Sequence, residues 1–282
     1  MKIKITQTRA AIFAVLLFVV SVTLALCLTF CKGNGGGKTP EESNVPNKDG
    51  TVTTSADYTY KTDISAVADA LNTTDGYYLT LANKSYTVGE NYQPNDLVKL
   101  ESQYCADNRT YLLSGNAAFA AEALIREMRA NGFENVSITS AYRSYERQKE
   151  LYDIYFANEK AANPSLTDEQ IKALVLTYSA YPGTSEHQTG LCIDLITSEM
   201  SGLWNYGSET PNNPYDKGFA ETEEFQWLKK NAHKFGFILR YPEDKTDITG
   251  YAYESWHYRF VGIDAATEIY EAGITLEEYL GK

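Results

Sequence analysis

The sequence predicts one α+β domain with a central antiparallel sheet flanked by helices, preceded by a transmembrane helix and a flexible tether. Helix-like and strand-like segments are mixed without the regular alternation of a doubly wound sheet. The 282 residues are 43% apolar and 13% aromatic, which is enough for one sizeable core. A polar, glycine-rich stretch near the amino terminus separates this domain from an uncharged apolar run.

The first 31 residues are predicted to anchor the chain in a membrane. Arg9 and two lysines precede an uncharged run at 10–31, and about 20 helical residues are enough to cross the hydrocarbon core. The basic flank should stay in the cytoplasm, which predicts a single-pass protein of the bacterial cell membrane with an extracytoplasmic domain. The alternatives are a lipoprotein modified at Cys27 or Cys31, or a protein secreted after signal cleavage.

Residues 32–75 are predicted to be a flexible linker, and residues 76–282 the folded domain. The linker is rich in Gly, Asn, Thr, Ser, Pro and Asp, so it cannot bury enough surface to fold alone. The net charge of -12 argues against nucleic acid as a partner, because phosphate binding relies on clustered Lys and Arg. The domain has no internal repeats, and we expect a monomer.

Hydrophobic periods and capping residues predict the elements of the domain. In chain order they are a strand at 76–79, a helix at 116–131 closed by Gly132, a strand at 136–141, a helix from Ser144 to Glu159, a helix from Thr167 to about Tyr178, a strand at 191–195, a helix at 221–235 closed by Gly236, a strand at 236–241, an aromatic and β-branched segment at 251–262, and a helix from Thr275.

Two short segments carry candidate metal ligands. In the first, at 185–194, His187 and Asp194 are an odd number of residues apart, so an unbroken strand would point them to opposite faces. Gly190 lies between them and tolerates the backbone angles of a tight turn. We therefore predict a turn at Gly190, followed by a strand that holds Asp194.

In the second segment, at 254–257, Glu254 and His257 also need an irregular backbone to reach the same site. We predict a turn or bulge near Ser255, with Trp256 in packing or in the wall of the substrate site. The two segments together supply two imidazoles, an aspartate and a second carboxylate. A catalytic zinc ion needs three protein ligands and one open position, with a carboxylate nearby to accept a proton from water.

Three separated motifs carry a family resemblance. They are Ser-x-His-x-x-Gly-x-x-x-Asp at 185–194, Glu-x-Trp-His at 254–257 and Ser-x-Tyr-Arg-Ser-x-x-x-Gln at 140–148. With them the chain resembles the VanY-type D-alanyl-D-alanine carboxypeptidases and their LD-carboxypeptidase relatives. The resemblance covers roughly residues 77–279 and also implies an antiparallel sheet flanked by helices.

The resemblance implies one Zn²⁺ per chain, bound by His187, Asp194 and His257. It implies that Glu254 is the catalytic base and later the proton donor. The activity that the resemblance implies is removal of the C-terminal D-alanine from a peptidoglycan stem peptide. In this reaction a water molecule activated by the zinc ion attacks the peptide bond. A peptidoglycan endopeptidase and a non-catalytic wall-binding module are the alternatives, and the choice between pentapeptide and tetrapeptide stays open.

The same resemblance assigns substrate contacts. Arg143 would bind the substrate carboxylate or stabilise the oxyanion, because a guanidinium stays charged and donates in a fork. It could instead be a buried ion-pair partner. Gln148 and Ser185 are predicted to position the peptide.

Cys105 and Cys192 are predicted to be buried free thiols, with a disulfide between them as the alternative. Cys192 stands where a small residue such as Ala is usual in the family, and Ser255 where Pro is frequent. Cys192 as a fourth zinc ligand would close the open coordination position, so we do not predict that role.

Overall fold

The computed structural model describes residues 58–198 and 218–282. The predicted membrane segment at 10–31 and residues 32–57 of the predicted linker lie outside the described residues. Within the described ranges, no helix is both long enough and apolar enough to cross a bilayer.

All six named strands pair in antiparallel orientation. A small sheet joins β1 and β2, and a four-stranded sheet has the order β3-β4-β6-β5. The strands are β1 (Leu97–Lys99), β2 (Leu112–Ser114), β3 (Val136–Ser140), β4 (Cys192–Thr197), β5 (Phe237–Tyr241) and β6 (Glu254–Phe260). The predicted α+β class with an antiparallel sheet is confirmed.

Helices pack around the larger sheet. They are α1 (Ala68–Leu71), α2 (Gly115–Ala130), α3 (Tyr145–Ala162), α4 (Asp168–Val175), α5 (Glu223–Asn231), α6 (Thr246–Thr249), α7 (Ile263–Ala272) and α8 (Leu276–Tyr279). The predicted caps are present, because Ser144 accepts from the Arg147 amide, and both Thr167 and Thr275 form capping boxes. Helix α2 buries the predicted apolar stripe against the core.

The predicted strand at 76–79 is wrong, since Gly76–Leu79 forms a 3₁₀ turn. The Asp75 carboxylate accepts a hydrogen bond from the Tyr77 amide at 2.9 Å and so caps this turn. The Tyr78 ring lies edge-on to Phe260, 5.4 Å between centroids. The aromatic residues here signal burial in the core rather than strand pairing.

The folded part begins earlier than the predicted boundary at Gly76. The Lys61 and Thr62 amides each donate to the Glu127 carboxylate at 2.9 Å, and the Tyr58 hydroxyl donates to it at 2.9 Å. Glu127 is fully buried on α2, so it needs these donors. Residues 58–75 are therefore part of the domain, held by backbone amides that composition does not reveal.

The predicted helix at 221–235 is divided into α5 and a 3₁₀ turn at Ala232–Phe235. Gly236 ends this turn with φ 75°, and a Cβ there would lie 2.6 Å from the Phe260 ring. The predicted stop at Gly236 is confirmed, and it directs the chain into β5.

His233 in that turn is buried, although a lysine follows it in the sequence. Its ring stacks on Tyr270, with 3.9 Å between centroids and 11° between planes. Burial and, to a smaller extent, the charge of the neighbouring Lys234 lower the pKa of His233 to about 4. The folded protein therefore keeps this imidazole neutral under conditions where the unfolded chain protonates it.

We expect His233 to make the protein less stable as the pH falls. Between pH 6.5, the ordinary pKa of histidine, and about 4, the unfolded chain binds a proton that the folded chain does not, so the free energy of unfolding decreases with falling pH. His233→Phe keeps a stacking ring without the titration. Urea unfolding at pH 7 and pH 5 should show a smaller decrease for this variant than for the wild type, and equal decreases would contradict the account.

Candidate metal centre

The chain turns sharply between the first two candidate ligands. His187 lies in a 3₁₀ turn at Glu186–Thr189 that ends at Gly190, whose φ is 68°. A Cβ at Gly190 would lie 3.0 Å from the Leu97 side chain, so a larger residue would be both strained and crowded. The chain then enters β4, and His187 Nε2 comes to 3.2 Å from Asp194 Oδ2. The predicted turn is confirmed.

A bulge in β6 brings the second segment to the same place. Leu239 pairs with Tyr258 but Tyr241 pairs with Glu254, so two steps along β5 correspond to four along β6. This is the predicted irregular backbone near Ser255. On the other side of β6, His257 pairs directly with Asp194 of β4.

Three buried side chains meet at this point of the sheet. His257 Nδ1 lies 3.1 Å from Asp194 Oδ1, and the His187 and His257 rings are 5.0 Å apart between centroids. Asp194 Oδ1 is nevertheless buried without a hydrogen-bond partner. A buried carboxylate oxygen beside an imidazole nitrogen, with no hydrogen bond between them, suits a cation shared by both atoms. The residues present therefore fit a metal ion.

The remaining ring nitrogens have partners that fix the tautomers. His187 Nδ1 lies 2.7 Å from the Ala141 carbonyl oxygen, which can only accept, so Nδ1 carries the proton. His257 Nε2 lies 3.4 Å from Glu186 Oε2, which again accepts. Each imidazole therefore presents its other nitrogen, Nε2 of His187 and Nδ1 of His257, as an electron-pair donor.

Glu254 lies beside the cluster but is more open to solvent. Its Oε2 is 3.5 Å from His257 Nδ1, and its side chain is 19% exposed, against 3% for that of His257. A carboxylate at the edge of a buried cluster can exchange protons with water that reaches the site.

A thiol completes the cluster. One donor atom each from His187, Cys192 and His257 lie within 4.8 Å of one another. Cys192 and Cys105 are both buried and unpaired, as predicted. Cys192 and Asp194 are two apart on β4 and so face the same side of the sheet.

The cluster attracts positive charge. Burial alone would lower the pKa of His187, but the Cys192 thiol and the Asp194 carboxylate raise it to about 9. Burial alone would raise the pKa of Cys192, but the two imidazoles lower it to about 7. Negative groups so close together favour protons on the imidazoles or a divalent cation in their place.

A buried charge network that we did not predict from the sequence supports His257. Glu186 Oε1 accepts from Arg240 Nε and from Arg259 Nη1, both at 2.7 Å. Arg240 also pairs with Glu277 through two hydrogen bonds of 2.6 and 2.8 Å. The available signal was an arginine between large apolar or aromatic neighbours in each strand, Leu239-Arg240-Tyr241 in β5 and Tyr258-Arg259-Phe260 in β6, because a buried arginine requires a buried partner.

Arg143 is held at the edge of the site. Its backbone amide donates to the His187 carbonyl at 3.0 Å, and its Nη1 donates to Gln148 Oε1 at 2.8 Å. Its Nη2 is 3.4 Å from the Ser140 hydroxyl, just after a bulge in β3. Arg143 is partly exposed, and the part of the chain that the structure describes contains no ion pair between it and a carboxylate.

The other predicted substrate-binding residues are less open. Gln148 is fully buried, and its amide donates to the Ala180 carbonyl at 2.7 Å and to the Ser179 hydroxyl at 3.3 Å. Ser185 is also buried. Trp256 is half-buried and packs against the main core.

The comparison with family models decides the membership of this chain. The model described as VanY, D-alanyl-D-alanine carboxypeptidase, matches residues 110–263. The chain belongs to the VanY family. The matched range contains every residue of the metal cluster as well as Glu254 and Arg143.

Two VanY-type relatives give the extent of similarity. A D-alanyl-D-alanine carboxypeptidase of Enterococcus faecalis is 44% identical over 152 residues, which is 54% of this chain and 49% of the relative. The bifunctional D-Ala-D-Ala dipeptidase and carboxypeptidase VanXYC of Enterococcus gallinarum is 33% identical over 202 residues, which is 71% of this chain and 92% of the relative. The chain thus spans about half of the first and nearly all of the second.

Two solved structures share the VanY fold. The vancomycin resistance D,D-pentapeptidase VanY in complex with Zn(II) is 36% identical, with a TM-score of 0.56 over 72% of this chain and 99% of that one. The LD-carboxypeptidase LdcB is 34% identical, with a TM-score of 0.58 over 73% of this chain and 86% of that one.

Proposed function

We propose that this chain is a zinc-dependent carboxypeptidase that removes the C-terminal D-alanine from peptidoglycan stem peptides. The proposal rests on one observation: the side chains of His187, Asp194 and His257 are buried in contact with one another, and Glu254 lies beside them. The names of the relatives support the substrate class, and a related structure contains Zn(II).

The three ligands would hold the ion through His187 Nε2, His257 Nδ1 and the Asp194 carboxylate. A bound zinc ion supplies a water of lowered pKa and polarises a carbonyl oxygen. The hydrogen bonds from His187 to Ala141 and from His257 to Glu186 keep the donor nitrogens directed into the cluster.

Glu254 moves the protons in this proposal. Its position next to His257 Nδ1 and its partial exposure allow it to accept a proton from the attacking water. The protonated carboxyl then donates to the leaving amine of D-alanine. The same group serves both steps, so the chain needs no nucleophilic side chain and no acyl-enzyme.

Arg143 binds the substrate carboxylate in this proposal. A guanidinium donates in a rigid fork, which matches a carboxylate. Gln148 is fully buried and accepts from Arg143 at 2.8 Å, so it acts as a positioning residue and not as a direct contact. Substrate contacts by Ser185 and Trp256 stay predictions.

Arg143→Lys is expected to raise KM for a stem peptide about 10- to 100-fold. Hydrogen bonds to a charged group contribute about 1.5–3 kcal/mol, and Lys keeps the charge but loses the fork. Steady-state kinetics of D-alanine release would measure the change. Arg147→Lys is the control, because Arg147 lies four residues further along, in the first turn of α3, and its exposed side chain pairs with Glu150 at the surface. An unchanged KM for Arg143→Lys would contradict its role.

The function is tested by product analysis. The purified full chain is loaded with zinc and incubated with a muramyl pentapeptide and a muramyl tetrapeptide, with and without a chelator. Mass spectrometry should show release of D-alanine from at least one of them, abolished by the chelator. Release of D-alanine from neither peptide would refute the proposal, and cleavage within the stem would favour an endopeptidase instead.

We further propose that the domain works outside the cytoplasm, anchored by the apolar run at 10–31. The basic residues before this run and the polar stretch after it support the proposal. Membrane fractions of cells that express the full chain should retain it after alkaline extraction, and external protease should cleave it in spheroplasts. Recovery in the soluble cytoplasmic fraction would contradict this.

A further inference from the structure

We propose that Cys192 is an additional ligand of the metal ion, so that the centre of this chain contains a sulfur donor beside its nitrogen and oxygen donors. The inference rests on the proposed zinc site and goes beyond its usual ligand set. It also reverses our expectation from the sequence that Cys192 has no metal role.

The distances favour this assignment. His187, Cys192 and His257 form a group of donor atoms within 4.8 Å of one another, which is compatible with ligands of a single ion at 2.0–2.3 Å. All three residues are buried. The unpartnered oxygen of Asp194, buried on the same side of β4, is an independent sign that a cation belongs here.

The backbone around Cys192 is held firmly. Cys192 pairs with Arg259 in the β4–β6 ladder. The Arg259 guanidinium in turn donates to Glu186 at 2.7 Å and to the carbonyls of Tyr78 and Thr80 at 3.0 and 2.7 Å. Because this strand pair is fixed on a buried network, the backbone of Cys192 is held in place beside the cluster.

A thiolate changes which metals the site prefers. Soft sulfur ligands favour zinc and other thiophilic ions over harder ions such as Mn²⁺ and Mg²⁺. With four protein ligands, the water that hydrolysis needs would be a fifth ligand, a coordination number that catalytic zinc can reach. The site should therefore bind metal more selectively than a centre with two histidines and an aspartate alone.

Cobalt substitution tests the inference without measuring activity. The full chain, carrying Cys27→Ser and Cys31→Ser so that two thiols remain, is loaded with one equivalent of Co²⁺. A bond from sulfur to cobalt produces an intense near-ultraviolet charge-transfer band, while the weaker visible bands report cobalt bound by any ligands. We expect both sets of bands, and we expect Cys192→Ala to lose the charge-transfer band and keep the visible ones.

Cys105→Ala is the matched control, because that thiol is also buried and unpaired but lies outside the donor group. It should keep the charge-transfer band. Visible bands without a charge-transfer band in the parent protein would overturn the inference and leave the proposed metal site intact, and this result does not depend on any Cys192 variant folding. A charge-transfer band that survives in Cys192→Ala would also overturn it. Absence of all cobalt bands would refute the metal site itself, and the inference with it.

Discussion

Glu254→Gln is expected to decrease the release of D-alanine by a factor of about 10² to 10⁴, the usual contribution of a positioned general base. The amide has almost the same shape as the carboxylate but cannot take a proton from water. Metal content should stay at the wild-type level, because Glu254 is not among the proposed ligands. Steady-state kinetics and metal analysis of the same preparation would measure both quantities.

Glu243→Gln is the control for this prediction. Glu243 is an exposed glutamate in the loop between β5 and β6, so its substitution should leave the rate unchanged. If Glu254→Gln keeps full activity, Glu254 is not the base. If it loses metal together with activity, Glu254 is a ligand and the proposed division of roles is wrong.

Glu186→Gln is expected to destabilise the protein by about 3–5 kcal/mol and to weaken zinc binding about 10- to 100-fold. Glu186 is fully enclosed, and its Oε1 accepts from both Arg240 and Arg259. The amide of Gln carries no negative charge, so the buried guanidinium groups of Arg240 and Arg259 would be balanced by the carboxylate of Glu277 alone. It also removes the charged acceptor next to His257 Nε2, which orients the donor nitrogen.

Glu150→Gln is the matched control for an ion pair at the surface. Its bridge to Arg147 is 2.8 Å long, but both side chains are about half exposed, so the loss should be about 1 kcal/mol or less. Urea unfolding and competition with a zinc chelator would give the two quantities. A stability loss for Glu186→Gln no larger than that of the surface control would show that the buried network contributes little.

The metal cluster was predictable because the backbone turns that bring its ligands together lie within short segments of the sequence. His187 and Asp194 are seven positions apart, so an unbroken strand cannot bring them together, and the glycine between them supplies the turn. Glu254 and His257 similarly required an irregular strand, which the shift in register between β5 and β6 provides. Helix limits followed from caps such as Thr167 and Thr275, whose hydrogen bonds involve residues close in sequence.

The support of the cluster was not predictable in the same way, because it depends on contacts between distant segments. Glu186 meets Arg240 and Arg259, which are 54 and 73 residues away in the chain. The segment at 58–75 joins the domain through backbone amides that donate to a buried carboxylate of α2. Every residue except proline has a backbone N–H, so no sequence pattern distinguishes those that satisfy a distant charge.

Anomalous diffraction at the zinc absorption edge, from crystals of the zinc-loaded protein, tests the central claim most directly. The account predicts one strong peak per chain, bonded to His187 Nε2, His257 Nδ1 and the Asp194 carboxylate, with the Glu254 carboxylate outside bonding distance. A peak bonded to the opposite ring nitrogens, or located away from these three residues, would contradict the account.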